Sequence, residues 1–113
     1  EGLVENAATV GTHLQAELRK AVADHPLVGD VRGLGMIAAV ELVADKENKT
    51  PFELSEGVGR KMYDHLLKHG LICRPMSNVL AFSPPLTLMQ GEADEIVRKF
   101  SDALDGLTQE LAR

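Results

Sequence analysis

Arg74 is the residue of this chain whose type and position best suit it to bind a ligand. It ends a strand-like, apolar run that begins at Gly70, and a second such run, Val79–Ser83, follows and is closed by two prolines. A guanidinium held at the end of a strand is a rigid, two-pronged donor for a carboxylate. The alternative interpretation is an exposed arginine at a sheet edge with no ligand, which the residue type alone would favour.

His65 and His69 have the i, i+4 spacing that metal sites use on a helix. No glutamate follows the first histidine and no third ligand is written nearby, whereas zinc needs three or four protein ligands. Both histidines fall in the last turns of a predicted helix, where a cation is favourable for the helix dipole. The sequence therefore predicts no metal site.

Four other features are interpreted as structural, so we expect no catalytic residue on this chain. The glycine-rich run Arg32–Gly35 precedes a strand and lacks the helix start that binds a phosphate; its glycines fit a bulge or a close backbone approach. Cys73 follows apolar residues with no base beside it, which favours an inert thiol. Ser83 lacks the flanking glycines of a nucleophile elbow. Glu41 interrupts an apolar strand and lies either on a polar face or beside a cation.

Three amphipathic helices are predicted to support these residues. The first ends near Pro26, because the residue before a proline is pushed out of helical space. The second begins between Thr50, which has capping-box spacing, and Gly57, and it ends at Gly70. A capping box at Thr87–Gln90 begins the third. The apolar stripes are Leu3, Ala7, Val10, Leu14, Leu18 and Ala21; then Leu54, Val58, Met62 and Leu66; then Ala93, Ile96, Val97, Phe100, Leu104, Leu107 and Leu111.

Three strands complete the predicted domain. Met36–Val43 is apolar enough to be a strand buried on both faces or nearly so. Leu71–Arg74 and Val79–Ser83 are shorter strands, joined by the turn-rich tetrad Pro75–Asn78. The order helix, strand, helix, strand, strand, helix predicts an α+β fold. We expect a two-layer domain, with a three-stranded, mainly antiparallel sheet and helices packed on one face.

The composition is that of an ordinary globular domain and excludes several classes of partner. The chain has 113 residues, a net charge of −5 and a pI near 5.3, which argue against nucleic acid and against anionic membrane surfaces. No apolar run is long enough to span a membrane, and the start is no signal peptide. One cysteine, Cys73, excludes an internal disulfide and fits a reducing, cytoplasmic compartment. A first residue other than Met suggests a piece of a longer protein.

Four motifs follow one another along the chain, namely Val31–Ile37, Glu41-Leu42, Gly70–Arg74 and Phe82–Leu86, with Glu92 and Asp94 downstream. In this order and spacing they resemble the C-terminal small domain of class III aminotransferases, which are fold-type I enzymes dependent on pyridoxal phosphate. The resemblance runs from about Leu27 to about Leu107, and the Gly-Leu-Ile-Cys-Arg run is most similar to the amine–pyruvate (omega) transaminases.

This resemblance implies a role for Arg74 and a division of labour with the rest of the enzyme. The matching arginine binds the substrate carboxylate and swings aside when an uncharged side chain must occupy the same pocket. The catalytic lysine, the aspartate on the pyridine nitrogen and most phosphate contacts lie in the large domain, and no lysine here has a similar context. Residues 1–113 would thus be one small domain, with a leading helix over 1–25 and an α/β sandwich over 26–113, inactive and without cofactor on its own.

For the parent enzyme the resemblance implies pyridoxal 5'-phosphate, a homodimer, and transfer of an amino group from an amine or omega-amino acid to a keto acid such as pyruvate. The alternative is a stand-alone α+β module that binds a small molecule and regulates a partner. A third interpretation, a purely structural or dimerising domain, predicts no carboxylate binding at Arg74. The particular amine and keto acid stay open.

Overall fold

The fold consists of three helices and four strands in a computed structural model that describes residues 2–22, 24–34, 37–48, 50–53, 56–71, 73–76, 78–82 and 89–111. The elements in chain order are α1 (Gly2–Val22), β1 (Val28–Leu34), β2 (Ile37–Leu42), α2 (Val58–Lys68), β3 (Arg74–Met76), β4 (Val79–Phe82) and α3 (Gln90–Leu111). Among the helices of this described part, none is long and apolar enough to cross a membrane.

The strands form one antiparallel sheet in the order β1-β2-β4-β3. The helices pack on one face of this sheet and share a single apolar core with it. The predicted α+β fold with helices on one face is therefore confirmed. The predicted number of strands is wrong, because the segment before β2 forms a fourth strand.

The two faces of the sheet differ because side chains alternate along each strand. The inner face is buried against the helices and consists of Val31, Ala38, Val40, Leu42, Leu80 and Phe82. The opposite face, called the outer face below, consists of Asp30, Arg32, Ile37, Ala39, Glu41, Arg74, Met76, Val79 and Ala81. The prediction that β2 is buried on both faces is wrong for this chain, since Ile37 is 56% exposed.

Strand β1 was not predicted, because buried and exposed side chains do not alternate regularly along its sequence. A register shift between Val28 and Asp30 places Gly29 in a bulge, and a bulge turns the following side chains to the other face. Gly33 fits the close approach expected of it, since a Cβ there would lie 2.6 Å from the carbonyl oxygen of Ile37. Gly35 lies outside the described residues.

Helix α1 packs its apolar stripe into the core and ends where the proline predicts. Val10, Leu14 and Leu18 are buried, whereas Ala21 is exposed and Val22 takes the inward position in its place. Nothing is described for the side chains of residues 3 and 7.

The turn after α1 is attached to α3 through His25. The N–H of Leu27 donates to His25 Nδ1 over 3.1 Å, so Nε2 carries the proton and faces Thr108 Oγ1 at 3.3 Å. The hydroxyl of Thr108 donates in turn to the carbonyl of Leu104 over 2.9 Å. Burial lowers the pKa of His25; Asp105 opposes this shift and Lys46 adds to it.

Helix α2 begins later than its first predicted cap. Thr50 pairs with Asp45 in an isolated bridge, its N–H donating to the Asp45 carbonyl over 2.9 Å, so the backbone at Thr50 is engaged in a turn and cannot open a helix. Gly57, with φ of 60°, is the N-cap, which suits a residue without a Cβ. The expected stripe of Val58, Met62 and Leu66 is buried; residue 54 is not described.

The β3–β4 hairpin is shifted relative to its prediction. Strand β3 begins at Arg74, whereas Leu71–Arg74 was the expected strand, and its partners in β4 extend from Ala81 to Val79. Pro75 is tolerated because β3 is an edge strand and no ladder bond needs its missing N–H. The turn is thus shorter than Pro75–Asn78. Gly70, at φ of 81°, ends α2 as predicted.

Helix α3 begins at Gln90, and Glu92 Oε1 accepts from the Met89 N–H over 2.8 Å, which is the return half of a capping box. The predicted cap at Thr87 lies outside the described residues, as does Ser83. Phe100 is fully buried and contacts Phe82 edge to face at 5.3 Å. The other buried residues of the stripe are Ala93, Val97, Leu104 and Leu107.

Candidate carboxylate-binding site

Arg74 is the first residue of β3 and lies on the outer face of the sheet, away from the helices. It is exposed, and it stands directly opposite Ala81 in the β3–β4 ladder. None of the hydrogen bonds and ion pairs among the described side chains involves its guanidinium. All of its donor groups are therefore available to an anion from outside this chain's described part.

A second arginine on the same face, Arg32, is paired with two carboxylates, in contrast to Arg74. Arg32 Nη1 lies 3.0 Å from Asp30 Oδ2 and 3.3 Å from Glu41 Oε1. The hydrogen bond to Asp30, and then the one to Glu41, raise the pKa of the Arg32 guanidinium. Glu41, for which the sequence left two positions open, thus lies both on the polar face and beside a cation.

The two arginines are the ends of one row that crosses all four strands. Arg32 pairs with Ala39, Ala39 pairs with Ala81, and Ala81 pairs with Arg74. The next row along the strands consists of Asp30, Glu41, Val79 and Met76. The middle of the outer face therefore consists of two small side chains, those of Ala39 and Ala81.

Apolar side chains border these two alanines and remain partly exposed to solvent. Ile37 is 56% exposed and Met76 is 46% exposed, while Val79 is half-buried. An exposed guanidinium beside apolar side chains can bind a carboxylate whose carbon chain contacts those side chains. This arrangement can orient such a ligand, but among the described side chains of the outer face none beside Arg74 is placed as an acid, base or nucleophile.

Cys73 shows the properties of an inert thiol. It is half-buried and packs against the apolar core. Burial raises the pKa of Cys73 to about 11, so the thiolate that a nucleophile requires is scarce at neutral pH.

Of the two predicted histidines, only His65 has a side-chain partner among the described residues, and His69 lies just beyond α2. His65 Nε2 lies 2.7 Å from Glu110 Oε1 on α3, and the His65 ring sits against Gly106, where a Cβ would come within 2.8 Å of Nδ1. His69 is the C-cap of α2, and its backbone N–H donates to the carbonyls of the last helical turn. Within the ranges that the structure describes, no group of three or more His, Cys, Asp or Glu side chains could hold a metal ion.

Sequence reasoning did not foresee the neighbours of Arg74 on the outer face. Ala39, Ala81 and the Arg32–Glu41 ion pair come together through register across three strand pairs. The available signal was limited to residues 39–42 and 80–82, in which Ala or Glu alternates with Val, Leu or Phe and so marks one solvent-facing side.

Comparison with known proteins identifies relatives over the whole chain. The family profile "Aminotransferase class-III" matches residues 1–104. A diaminobutyrate–2-oxoglutarate transaminase of Halomonas elongata is 44% identical over 100% of this chain and 24% of its own length. A putrescine–pyruvate aminotransferase of Pseudomonas aeruginosa is 37% identical over 93% of this chain and 23% of its own.

A solved structure gives the same result for the fold. The omega transaminase from Pseudomonas jessenii in complex with PMP superposes with a TM-score of 0.91 at 45% identity, covering 99% of this chain and 24% of that one. The chain thus spans about a quarter of the length of the relatives that it matches. It belongs to the class III aminotransferase family.

Proposed function

We propose that residues 1–113 are the C-terminal small domain of a pyridoxal-phosphate-dependent aminotransferase, with a leading helix over 1–25 and an α/β sandwich over 26–113. The parent enzyme moves an amino group from an amine or omega-amino acid to a keto acid such as pyruvate. Support comes from the family match and from relatives named for diaminobutyrate with 2-oxoglutarate and for putrescine with pyruvate. The isolated domain is expected to be inactive.

Among its described residues, the sheet of this domain offers no lysine that could bind the cofactor. The four strands contain no lysine, so no amine for a Schiff base lies on the outer face beside Arg74. Lys20 and Lys99 contact Glu17 and Glu95 on helices, and Lys46 donates to the His25 carbonyl in a loop. The cofactor, which supplies the electron sink for transamination, is therefore assigned to the remainder of the enzyme.

Arg74 is proposed as the group that holds the substrate carboxylate. The observation that carries this role is its guanidinium, exposed on the outer face with no partner among the described side chains, while Arg32 on the same face is paired twice. Two N–H donors on one rigid plane fix both position and orientation of a carboxylate. Orientation of this kind favours the reaction because the substrate arrives already aligned.

Stopped-flow measurement of the two half-reactions in the full-length enzyme tests this role. Arg74→Ala should raise the KM for alanine and for pyruvate, whereas a simple amine donor should be affected much less in its own half-reaction. Arg74→Lys should recover part of the loss, because it keeps the charge without the two-pronged geometry. Arg32→Ala is the matched control, since it removes an exposed arginine from the same face. Equal losses for alanine and the amine would contradict the role.

The remaining properties proposed for the parent enzyme concern its assembly and compartment. We expect a homodimer, contact between this domain and the large domain of the same polypeptide, and a cytoplasmic location that suits the unpaired Cys73. Light scattering on the full-length enzyme measures the first property directly, and a monomeric mass would contradict it.

A further inference from the structure

We propose that Asn78 is a positioning residue for the carboxylate-binding site, because its side-chain amide ties the β3–β4 turn to the chain at Phe52 and so fixes the short strand that carries Arg74. The inference rests on the proposed role of Arg74 in binding the substrate carboxylate. It adds a residue that acts through the backbone of β3 and not through contact with the substrate.

Strand β3 depends on its neighbours for its position, since it is short and lies at the edge of the sheet. It has three residues, Arg74–Met76, and pairs with β4 along one side only. Its middle residue is Pro75, which has no N–H to donate to a ladder. Few backbone hydrogen bonds therefore hold this strand, and its orientation is sensitive to whatever fixes its two ends.

The turn after β3 is short enough to pass a displacement on to the strand. Met76 pairs with Val79, so only residues 77 and 78 connect β3 to β4. Arg74 and Met76 share the outer face and lie roughly 6.6 Å apart along the strand. A change in the tilt of the turn therefore changes the direction in which both side chains leave the sheet.

Asn78 holds this turn in two directions. Its carbonyl accepts from the Leu42 N–H over 2.8 Å, which ties the turn to the end of β2 within the sheet. Its side-chain Nδ2 donates to the Phe52 carbonyl over 3.0 Å, which ties the turn to a segment that is not part of a strand. Asn78 is half-buried, and a hydrogen bond partly shielded from water is stronger than an exposed one. The amide thus supplies the second point of attachment that a single backbone bond lacks.

The segment that accepts this hydrogen bond is itself held in place. Phe52 packs against the apolar core. Just before it, the Thr50 N–H donates to the Asp45 carbonyl over 2.9 Å, and the Ala44 N–H donates to the Thr50 carbonyl over 2.8 Å. The amide of Asn78 therefore connects the turn to a closed loop that is anchored in the core.

The consequence concerns substrates that carry a carboxylate. A two-pronged contact between a guanidinium and a carboxylate depends on the relative orientation of the two planes, and a displacement of about 1 Å can cost up to ~100-fold in rate. A simple amine makes no such contact, so its reaction should depend little on the tilt of β3.

Propionate binding and half-reaction kinetics of Asn78→Ala in the full-length enzyme test this inference. The Kd for propionate and the KM for alanine should rise about three- to tenfold, the factor that corresponds to one net hydrogen bond, while kcat/KM for benzylamine stays within about twofold. Asn78→Asp keeps the shape of the side chain but offers only acceptors when ionised, so it should lose at least as much. Asn48→Ala is the matched control, because it removes an amide that donates to Asp45 Oδ2 over 2.8 Å in the neighbouring loop, and it should behave like the wild type.

A double-mutant cycle separates the positioning of Arg74 from a general loss of stability. In an Arg74→Ala background, Asn78→Ala should weaken propionate binding no further, because no guanidinium remains to be positioned. A further loss there overturns the inference, as do equal losses for alanine and benzylamine in Asn78→Ala.

The remaining outcomes distinguish this inference from the proposed function on which it rests. Unchanged propionate binding in Asn78→Ala, beside a clear loss in Arg74→Ala, overturns the inference alone. If Asn78→Ala does not fold, Asn78→Asp decides the question, and failure of both variants to fold also overturns it, since Asn78 would then be required for the fold. Unchanged propionate binding in Arg74→Ala would instead refute the proposed role of Arg74.

Discussion

Replacing Gly33 by alanine should destabilise the domain, because this glycine lies where the β1–β2 hairpin passes under α1. A Cβ at this position would lie 2.6 Å from the carbonyl oxygen of Ile37 and 2.6 Å from Cδ of Gln15. The carbonyl belongs to the backbone of the neighbouring strand, so relief requires a shift of the hairpin itself. Overpacking of this kind costs ~1–3 kcal/mol, whereas removing a glycine from a strand gains roughly 0.5–1 kcal/mol.

The net expectation is a loss of about 1–2 kcal/mol in the free energy of unfolding for Gly33→Ala. Gly91→Ala is the matched control, because a Cβ there has nothing within 4 Å and the residue lies in α3. Alanine is the better helix former, so this variant should gain up to ~1 kcal/mol. The two identical chemical changes should therefore move stability in opposite directions.

Urea denaturation followed by circular dichroism measures the free energy of unfolding of both variants. The urea concentrations at the midpoint are compared on the condition that the slope of free energy against urea is the same. A Gly33→Ala chain as stable as the wild type, or more stable, would show that the hairpin does not approach its neighbours as closely as the structure has it. An equal loss for Gly91→Ala would show that the effect does not come from the close contact.

Three further outcomes follow from the core and from the titrating groups. Phe100→Ala should lower the free energy of unfolding by ~3–5 kcal/mol, whereas Met89→Ala, at a residue 68% exposed, should stay within about 0.5 kcal/mol; equal losses in urea denaturation would contradict the assigned core. Because burial raises the pKa of Cys73 from 9.0 to about 11, iodoacetamide should alkylate the folded chain about a hundredfold more slowly at neutral pH than the urea-unfolded chain, and equal rates would contradict this. Burial lowers the pKa of His25 in the folded chain below 6.5, so on acidification the unfolded chain binds a proton at this residue before the folded chain does. The stabilisation by His25 is therefore present above about pH 6.5 and is lost as the pH falls through the pKa of His25 in the folded chain. The stability difference between the wild type and His25→Gln should shrink over that range, and a difference that grows would refute this sign.

Helices were predictable from the sequence in position and in buried face, because a period of 3.6 residues survives small local irregularities. The positions of the helix ends depended on backbone hydrogen bonds that compete with those of the helix. Pro26 ended α1 as expected, but the capping-box pattern at Thr50 was misleading, since that residue pairs with Asp45 in a turn. Local spacing alone could not show that the backbone of Thr50 had a partner five residues earlier.

Strands were harder to predict, and β1 was missed. Its bulge at Gly29 interrupts the alternation, and its outer side chains Asp30 and Arg32 satisfy each other with Glu41 across the sheet. From the sequence alone, polar residues that pair with each other within a sheet cannot be distinguished from loop residues. The apolar character of β2 suggested burial on both faces, yet in this chain only one face is covered.

For the candidate site, Arg74 could be selected from its motif, whereas its surroundings could not. Ala81 and Ala39 become its neighbours only through the register of β3 with β4 and of β4 with β2. A slip of one residue in either pair would turn those alanines to the core. The sequence does not fix that register without the packing of the inner face.

The most direct test of the central claim is the affinity of an unreactive carboxylate for the full-length enzyme. Propionate should bind Arg74→Ala about ten to a hundred times more weakly than the wild type, which corresponds to the ~1.5–3 kcal/mol of a hydrogen bond to a charged group. Arg32→Ala, which removes an exposed arginine from the same face, should leave the Kd unchanged. Unchanged propionate binding in Arg74→Ala, or an equal loss in both variants, would contradict the role of Arg74 as the carboxylate-binding group.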